Sequence, residues 1–147
     1  MATLGTFQQQ IVDILGLSEE ETSPLSQDQE HSLYERAFDL YERQDYRSAA
    51  PLFTQLVLTN PFEAHYWRGL ASTKQMTRDY MAAVHAWGLV ALLEEEDPLP
   101  HFHAAECLLH VEELEDAQKA INAALERCDE GDPLIEKVQQ LKAHYAH

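Results

Sequence analysis

The sequence has 147 residues, of which 45% are hydrophobic and 24% charged, and this composition predicts a folded globular chain of one domain. Its 26 acidic and 10 basic side chains give a formal net charge of -16, so the surface repels phosphate, which argues against nucleic acid and anionic membranes as partners. The two cysteines, Cys107 and Cys128, form no C-x-x-C arrangement and predict neither a disulfide framework nor a zinc site.

Residues 1–29 are predicted to form a short N-terminal helix and a polar linker, which runs from Ser18 to Gln29. This helix either packs on the rest of its own chain or mediates self-association, and the freedom that the linker gives favours self-association. The sequence shows neither a signal peptide nor an apolar run of the ~20 residues that a membrane span needs, so we expect a cytoplasmic protein. The apolar stripe of the helix consists of Leu4, Phe7, Ile11, Ile14 and Leu15, and the last four are the expected dimerisation residues.

An internal repeat with an offset of 34 residues fills most of the remaining chain. Its middle unit contains W-R-G-L-A from Trp67 and R-D-Y-M-A-A from Arg78, which resembles the tetratricopeptide consensus of two antiparallel helices. We therefore predict an all-α fold with three tandem tetratricopeptide repeats at residues 30–63, 64–97 and 98–131. Six columns carry the repeat: Ala49, Ala83 and Ala117; Tyr46, Tyr80 and Leu114; Phe53, Trp87 and Ile121; Leu33, Trp67 and His101; Ala37, Ala71 and Ala105; Asp45, Asp79 and Glu113.

The predicted packing alternates small and large side chains within each helix pair. Small residues such as Ala71 and Ala83 let two helices approach closely, while Trp67 and Trp87 fill the space around those contacts. A helix over residues 132–147 is predicted to cap the last repeat, with Asp132 as its N-cap and Pro133 at its first position. The apolar stripe of this capping helix is Leu134, Val138, Leu141 and Tyr145.

The first helix of each predicted repeat lines a concave groove, so its outward positions indicate what the groove binds. Half of these positions are aromatic or aliphatic, and apolar side chains at that density favour a peptide-binding role. A clamp for a terminal carboxylate is disfavoured because Arg68 is the one cation among them; an extended segment with apolar anchors fits better. The twelve positions are His31, Tyr34, Phe38, Tyr41, His65, Arg68, Ser72, Gln75, Leu99, Phe102, Glu106 and Leu109.

No constellation of residues predicts catalysis. The sequence lacks the common nucleophile, phosphate-binding and zinc-protease motifs, so we expect no enzyme and no cofactor. His103, Cys107 and His110 are spaced for one face of a helix, but Cys107 falls in an inner column of the repeat. A structural role for the three is therefore favoured over a metal site.

The order of these features resembles the class II chaperones of bacterial type III secretion, which bind hydrophobic translocator subunits. The resemblance covers about residues 30 to 130. Its strongest stretches are L-Y-E-R-A-F-D-L-Y-E-R-Q-D-Y from Leu33, the W-R-G-L-A block, and F-H-A-A-E-C-L-L from Phe102 to Leu109.

The resemblance implies a bacterial cytosolic chaperone that keeps a membrane-active secreted partner soluble and prevents its premature association before export. It also implies dimerisation through the N-terminal region. A general tetratricopeptide scaffold that joins two cellular proteins is the alternative that the repeats alone leave open. Carried onto this sequence, the groove of the family corresponds to Tyr34, Phe38, Tyr41, Arg68, Phe102 and Leu109.

Overall fold

The structure is a computed structural model that describes residues 25–144 together with Gln9, Gln10 and Asp13. Residues 25–144 form seven α-helices and no strand, which confirms the all-α tetratricopeptide fold. None of these helices is both long and apolar enough to cross a bilayer. The helices are α1 (Gln27–Glu42), α2 (Tyr46–Thr59), α3 (Ala64–Met76), α4 (Tyr80–Leu93), α5 (Leu99–His110), α6 (Leu114–Arg127) and α7 (Pro133–His144).

Helix α1 begins before the predicted first repeat. Ser26 is its N-cap: the Ser26 hydroxyl accepts a hydrogen bond from the Gln29 backbone N–H, and the Gln29 side chain accepts one from the Ser26 N–H. This reciprocal pair satisfies two backbone donors at the helix start. Residues 27–29, which the sequence assigns to a linker, therefore belong to the first turn of α1. The division of the chain into an N-terminal segment, three repeats and a cap stays a prediction.

The three turns inside the helix pairs share one strained conformation. Gln44, Arg78 and Glu112 have φ angles of 64°, 66° and 60°, and they lie at equivalent positions of successive repeats. This left-handed region favours glycine, and a residue with a Cβ atom has a higher conformational energy there. The helix packing on both sides of each turn therefore holds the backbone in a conformation that these side chains disfavour.

The alanine columns lie at the helix contacts, as the alternating pattern predicts. The six alanines of these two columns are fully buried, and they are Ala37, Ala49, Ala71, Ala83, Ala105 and Ala117. Trp67 is 2% exposed, and its indole N–H donates to the Pro61 carbonyl oxygen at 2.7 Å. At Gly69 a Cβ atom would overlap the ring of buried Phe53, so the absence of a side chain lets α3 approach α2.

The core continues from the third helix pair into α7. Leu134 and Val138 of α7 are buried in a cluster with Ile121 and Ala124 of α6. The Asp132 carboxylate accepts a hydrogen bond from the Leu134 N–H at 2.9 Å, as expected for the predicted cap. Helix α7 therefore covers the apolar end of the last repeat.

Candidate partner-binding groove

Four of the six predicted groove residues line one cleft between α1 and α3. Its volume is about 200 Å³, and it is open to solvent on one side. Tyr34, Phe38 and Tyr41 lie on α1 and Arg68 lies on α3, while Phe53 of α2 contributes to the lining from below. We call this site the aromatic cleft; its residues are Tyr34, Phe38, Tyr41, Phe53, His65, Arg68, Gly69 and Ser72.

The rings of the aromatic cleft are held in place by their neighbours. The Tyr34 ring lies 5.3 Å from Tyr66 and 6.2 Å from Phe38, measured between centroids, in tilted arrangements. The Tyr66 hydroxyl donates to the Glu30 carboxylate at 3.0 Å. Burial, and then this hydrogen bond, raise the pKa of Tyr66, so its hydroxyl stays protonated as a donor. The wall is thus ordered before any partner arrives, which lowers the entropic cost of binding.

Phe38 is the most accessible anchor of the aromatic cleft. Its side chain is 47% exposed although it has no polar atom, whereas Tyr34 and Tyr41 are partly buried. Tyr41 also packs edge-on against Tyr46 at 5.3 Å, which ties the end of α1 to the start of α2. An apolar side chain of a partner could therefore contact Phe38 without disturbing the fold.

The predicted cation of the groove is already paired within the chain. A guanidinium nitrogen of Arg68 donates to the carboxylates of Glu94 and Asp97, the latter at 2.7 Å. Both acids lie in the connection between α4 and α5. These ion pairs therefore tie α3 to the segment that leads from the second helix pair to the third. Two carboxylates against one guanidinium leave no free positive charge to hold a partner carboxylate. This arrangement agrees with the expectation of an extended segment with apolar anchors in place of a terminal carboxylate.

A polar network follows the aromatic cleft along the groove, between α3 and α5. The Gln75 amide donates to the Glu106 carboxylate at 3.2 Å, and the Trp87 indole N–H donates to the Gln75 oxygen at 3.0 Å. His103 lies 2.7 Å from the same carboxylate and stacks on Trp87 at 4.7 Å between centroids. This network is not visible in the sequence pattern, which places Gln75 and Glu106 on the groove face without linking them. Only the i,i+3 spacing of His103 and Glu106 hinted at it.

The third-repeat end of the groove differs from the prediction at Leu109. Leu109 is only 6% exposed and is buried with Leu108 and Ala117, and Leu141 of α7 packs against this cluster. Leu109 is therefore buried where the prediction exposes it, because side chains of α6 and α7 pack around it, and its part in client binding stays a prediction. Phe102 does face a cleft of about 450 Å³, whose other residues are Glu106, His110, Lys137, Gln140, Leu141 and His144.

The three residues with the spacing of metal ligands, His103, Cys107 and His110, each contact different neighbours. Cys107 is fully buried, and burial raises the pKa of its thiol to about 12. His103 contacts Glu106 as described, and His110 stacks on Tyr80 at 4.5 Å with nearly parallel rings. Within the part of the chain that the structure describes, no group of three such side chains converges on a metal position.

The predicted dimerisation residues Phe7, Ile11, Ile14 and Leu15 lie outside the described residues. Self-association through this stripe stays a prediction.

The chain resembles known proteins in sequence, although no family model matches it. Low calcium response locus protein H of Yersinia pestis and of Yersinia pseudotuberculosis is 31% identical over 102 residues. The match covers 69% of this chain and 61% of those relatives, so it spans less than two thirds of their length.

Solved structures extend this resemblance to the fold. A chain of the CopN-Scc3 complex is 31% identical with a TM-score of 0.71, over 80% of this chain and 69% of that one. The Yersinia enterocolitica type III secretion chaperone SycD, solved in complex with a peptide of the translocator YopD, is 28% identical with a TM-score of 0.74. That match covers 82% of this chain and 95% of SycD. SycD has also been solved as an alternative dimer.

Proposed function

The chain belongs to the class II translocator chaperones of bacterial type III secretion, and from this premise we propose that its groove holds an extended apolar segment of a hydrophobic translocator. The chaperone would act in the bacterial cytosol, keep the translocator soluble and prevent its premature association before export. Its known relatives are chaperones, and we propose no catalytic role.

The aromatic cleft is the single observation that carries this proposal. Its rings are ordered, its one cation is neutralised, and Phe38 presents apolar surface to solvent. Each apolar side chain that a partner buries against these rings would contribute about 1.5–3 kcal/mol. SycD, which has a similar fold, is seen with a peptide of its translocator, so a peptide is an appropriate ligand class for this groove.

The distribution of charge supports the same ligand. The net charge of -16 keeps the free chaperone apart from other acidic molecules, and it repels anionic lipid headgroups. A client held in the groove would therefore be kept away from the membrane surface into which it later inserts. The polar network around Glu106 lies beyond the aromatic cleft and offers hydrogen bonds to the client backbone.

Co-expression tests this function directly. The probe is the hydrophobic secreted protein whose gene neighbours that of the chaperone, and the measured quantity is its soluble fraction in Escherichia coli. We expect the wild-type chaperone and Leu114→Ala, altered at an exposed leucine of α6, to solubilise the client, and Phe38→Ala to do so less well. A client that is equally soluble without the chaperone would contradict the proposal and favour a general scaffold.

A further inference from the structure

Residues 46–93 carry a net charge of opposite sign to that of the rest of the chain. They contain four basic and two acidic side chains, a net charge of +2, whereas the whole chain has a net charge of -16. Helices α2 and α3, which lie within this stretch, contain no Asp or Glu. A basic region in so acidic a protein indicates a contact with an anionic group. The four basic residues are Arg47, Arg68, Lys74 and Arg78.

Two of these cations line a cleft between α2 and the end of α3. The cleft has a volume of about 570 Å³ and is open to solvent, and within the part of the chain that the structure describes no acidic residue lines it. It shares no residue with the aromatic cleft. We call this site the basic cleft; Arg47, Ala50, Pro51, Thr54 and Gln55 line it from α2, and Lys74 and Thr77 from the end of α3.

Arg47 lies where its charge does not stabilise its own helix. It belongs to the first turn of α2, where the helix dipole disfavours a positive charge, and the third repeat has Glu115 at the equivalent position. Its side chain is exposed, and its guanidinium forms no ion pair or hydrogen bond with the described residues. A cation that is unfavourable for its helix and has no partner there is available to an external anion.

Lys74 is the second cation of the basic cleft, and its charge is only loosely paired. Its ammonium nitrogen lies 3.7 Å from the Asp79 carboxylate, which is longer than a hydrogen bond. The Lys74 side chain is 26% exposed, and that of Asp79 is 54% exposed. A long ion pair with an exposed member contributes little to stability. Lys74 can therefore pair with a carboxylate that enters the cleft.

The basic cleft also contains hydrogen-bonding groups that suit a peptide backbone. The Gln55 side chain is half-buried, and its amide forms no hydrogen bond with the described residues. Pro51 lies inside α2 and has no N–H, so the Arg47 carbonyl oxygen lacks its helical donor four residues further on. An amide that donates and accepts, together with a carbonyl oxygen that accepts, matches the N–H and C=O of a peptide.

We propose that the basic cleft binds an acidic segment of a protein partner. Two carboxylates of the segment pair with Arg47 and Lys74, and its backbone pairs with the Gln55 amide. Glutamate methylene groups cover the apolar surface of Ala50 and Pro51. The net charge of -16 repels a uniformly acidic molecule, so the partner carries this segment on an otherwise neutral or basic surface. Because the two clefts share no residue, this inference does not rest on the proposed function.

Fluorescence anisotropy of labelled hexaglutamate with the full chain at low ionic strength tests this site. We expect saturable binding that weakens as salt is added, and no binding of labelled hexaglutamine. Arg47→Glu should weaken hexaglutamate binding more than about tenfold, because it replaces an attraction by a repulsion. The matched control Lys119→Glu makes the same change in net charge at an exposed lysine of α6, and it should weaken binding less than about twofold.

Two results would overturn the proposal. The first is a wild type that does not bind hexaglutamate, and the second is an equal loss of binding in Arg47→Glu and Lys119→Glu, which would trace the effect to net charge alone. Arg47→Glu should retain native helicity by circular dichroism, because an acidic residue suits the first turn of a helix. It should also solubilise the client as well as the wild type does.

Gln55→Ala distinguishes a peptide from a free anion as the occupant. It should weaken hexaglutamate binding about threefold or more, because a hydrogen bond to the peptide backbone is lost. Binding of inorganic phosphate, measured by isothermal titration calorimetry, should be weaker than that of hexaglutamate and unchanged in this variant. Phosphate that binds as tightly as hexaglutamate, or hexaglutamate binding that is insensitive to Gln55→Ala, would overturn the proposal in favour of a site for free anions.

Discussion

The two ends of the groove are built from the same repeat and yet differ in what they expose. Between α1 and α3, three aromatic side chains line an open cleft above Phe53. Between α5 and α7, the leucine expected in the wall is buried, and charged and polar side chains surround Phe102. The position of a repeat within the stack therefore decides whether an outward residue binds a partner or joins the core.

The difference arises because α1 and α5, the first helices of the first and third repeats, have different neighbours. Helix α1 packs against α3 across the groove side, and Phe38 remains exposed there. Helix α5 has α7 beside it in place of another repeat, and Leu141 of α7 packs against the Leu109 cluster. A capping helix must cover the apolar end of a solenoid, and here it uses part of the groove face to do so.

Leu109→Ala is expected to have the largest effect on stability. Removal of a buried leucine side chain leaves a cavity, so the free energy of unfolding should fall by about 2–5 kcal/mol. Urea denaturation followed by circular dichroism measures this change, and client affinity of the folded variant should equal that of the wild type. A stable variant with weakened client binding would show that Leu109 belongs to the groove after all.

Gly69→Ala tests the floor of the aromatic cleft and should have the next largest effect. The new methyl group would overlap the ring of Phe53, which is buried and has little room to move, so we expect a loss of about 1–3 kcal/mol in stability. Gly88→Ala is the matched control, because its Cβ atom meets open space. Equal stabilities of the two variants, measured by the same denaturation, would contradict the close packing of α2 and α3.

Substitution by glycine in the turns should have the smallest effect on stability, and the effect should be the same in the first and third repeats. Gln44→Gly and Glu112→Gly relieve equivalent left-handed conformations in the first and third repeats, so each should raise stability by about 0.5–1 kcal/mol. Alanine at the same positions serves as the control and should give no gain. A gain in only one repeat, seen as a shift in melting temperature, would mean that the repeats differ in backbone as well as in groove contents.

The core could be predicted from the sequence because it repeats. The alanine columns and the tryptophans occupy positions fixed by helix periodicity, and periodicity is visible in one chain. Phe38 could be placed on the groove for the same reason.

The features that could not be predicted are contacts between residues that the 34-residue repeat does not relate to each other. The pairing of Arg68 with Glu94 and Asp97 brings together a helix and a distant connection. The Gln75 and Glu106 bond joins two repeats, and Leu109 is buried among side chains of α4, α6 and α7. Sequence periodicity specifies which face a residue occupies, but the neighbouring element decides whether that face is open.

The central claim is that the aromatic cleft, and not the third-repeat end, anchors the client. The most direct measurement is isothermal titration calorimetry with peptides that span the hydrophobic secreted protein encoded beside the chaperone. Phe38→Ala should weaken binding of the recognised peptide by about 1–3 kcal/mol, whereas Leu114→Ala, at a comparably exposed position, should leave the affinity unchanged. Unaltered affinity for Phe38→Ala, in a variant of native helicity, would contradict the account.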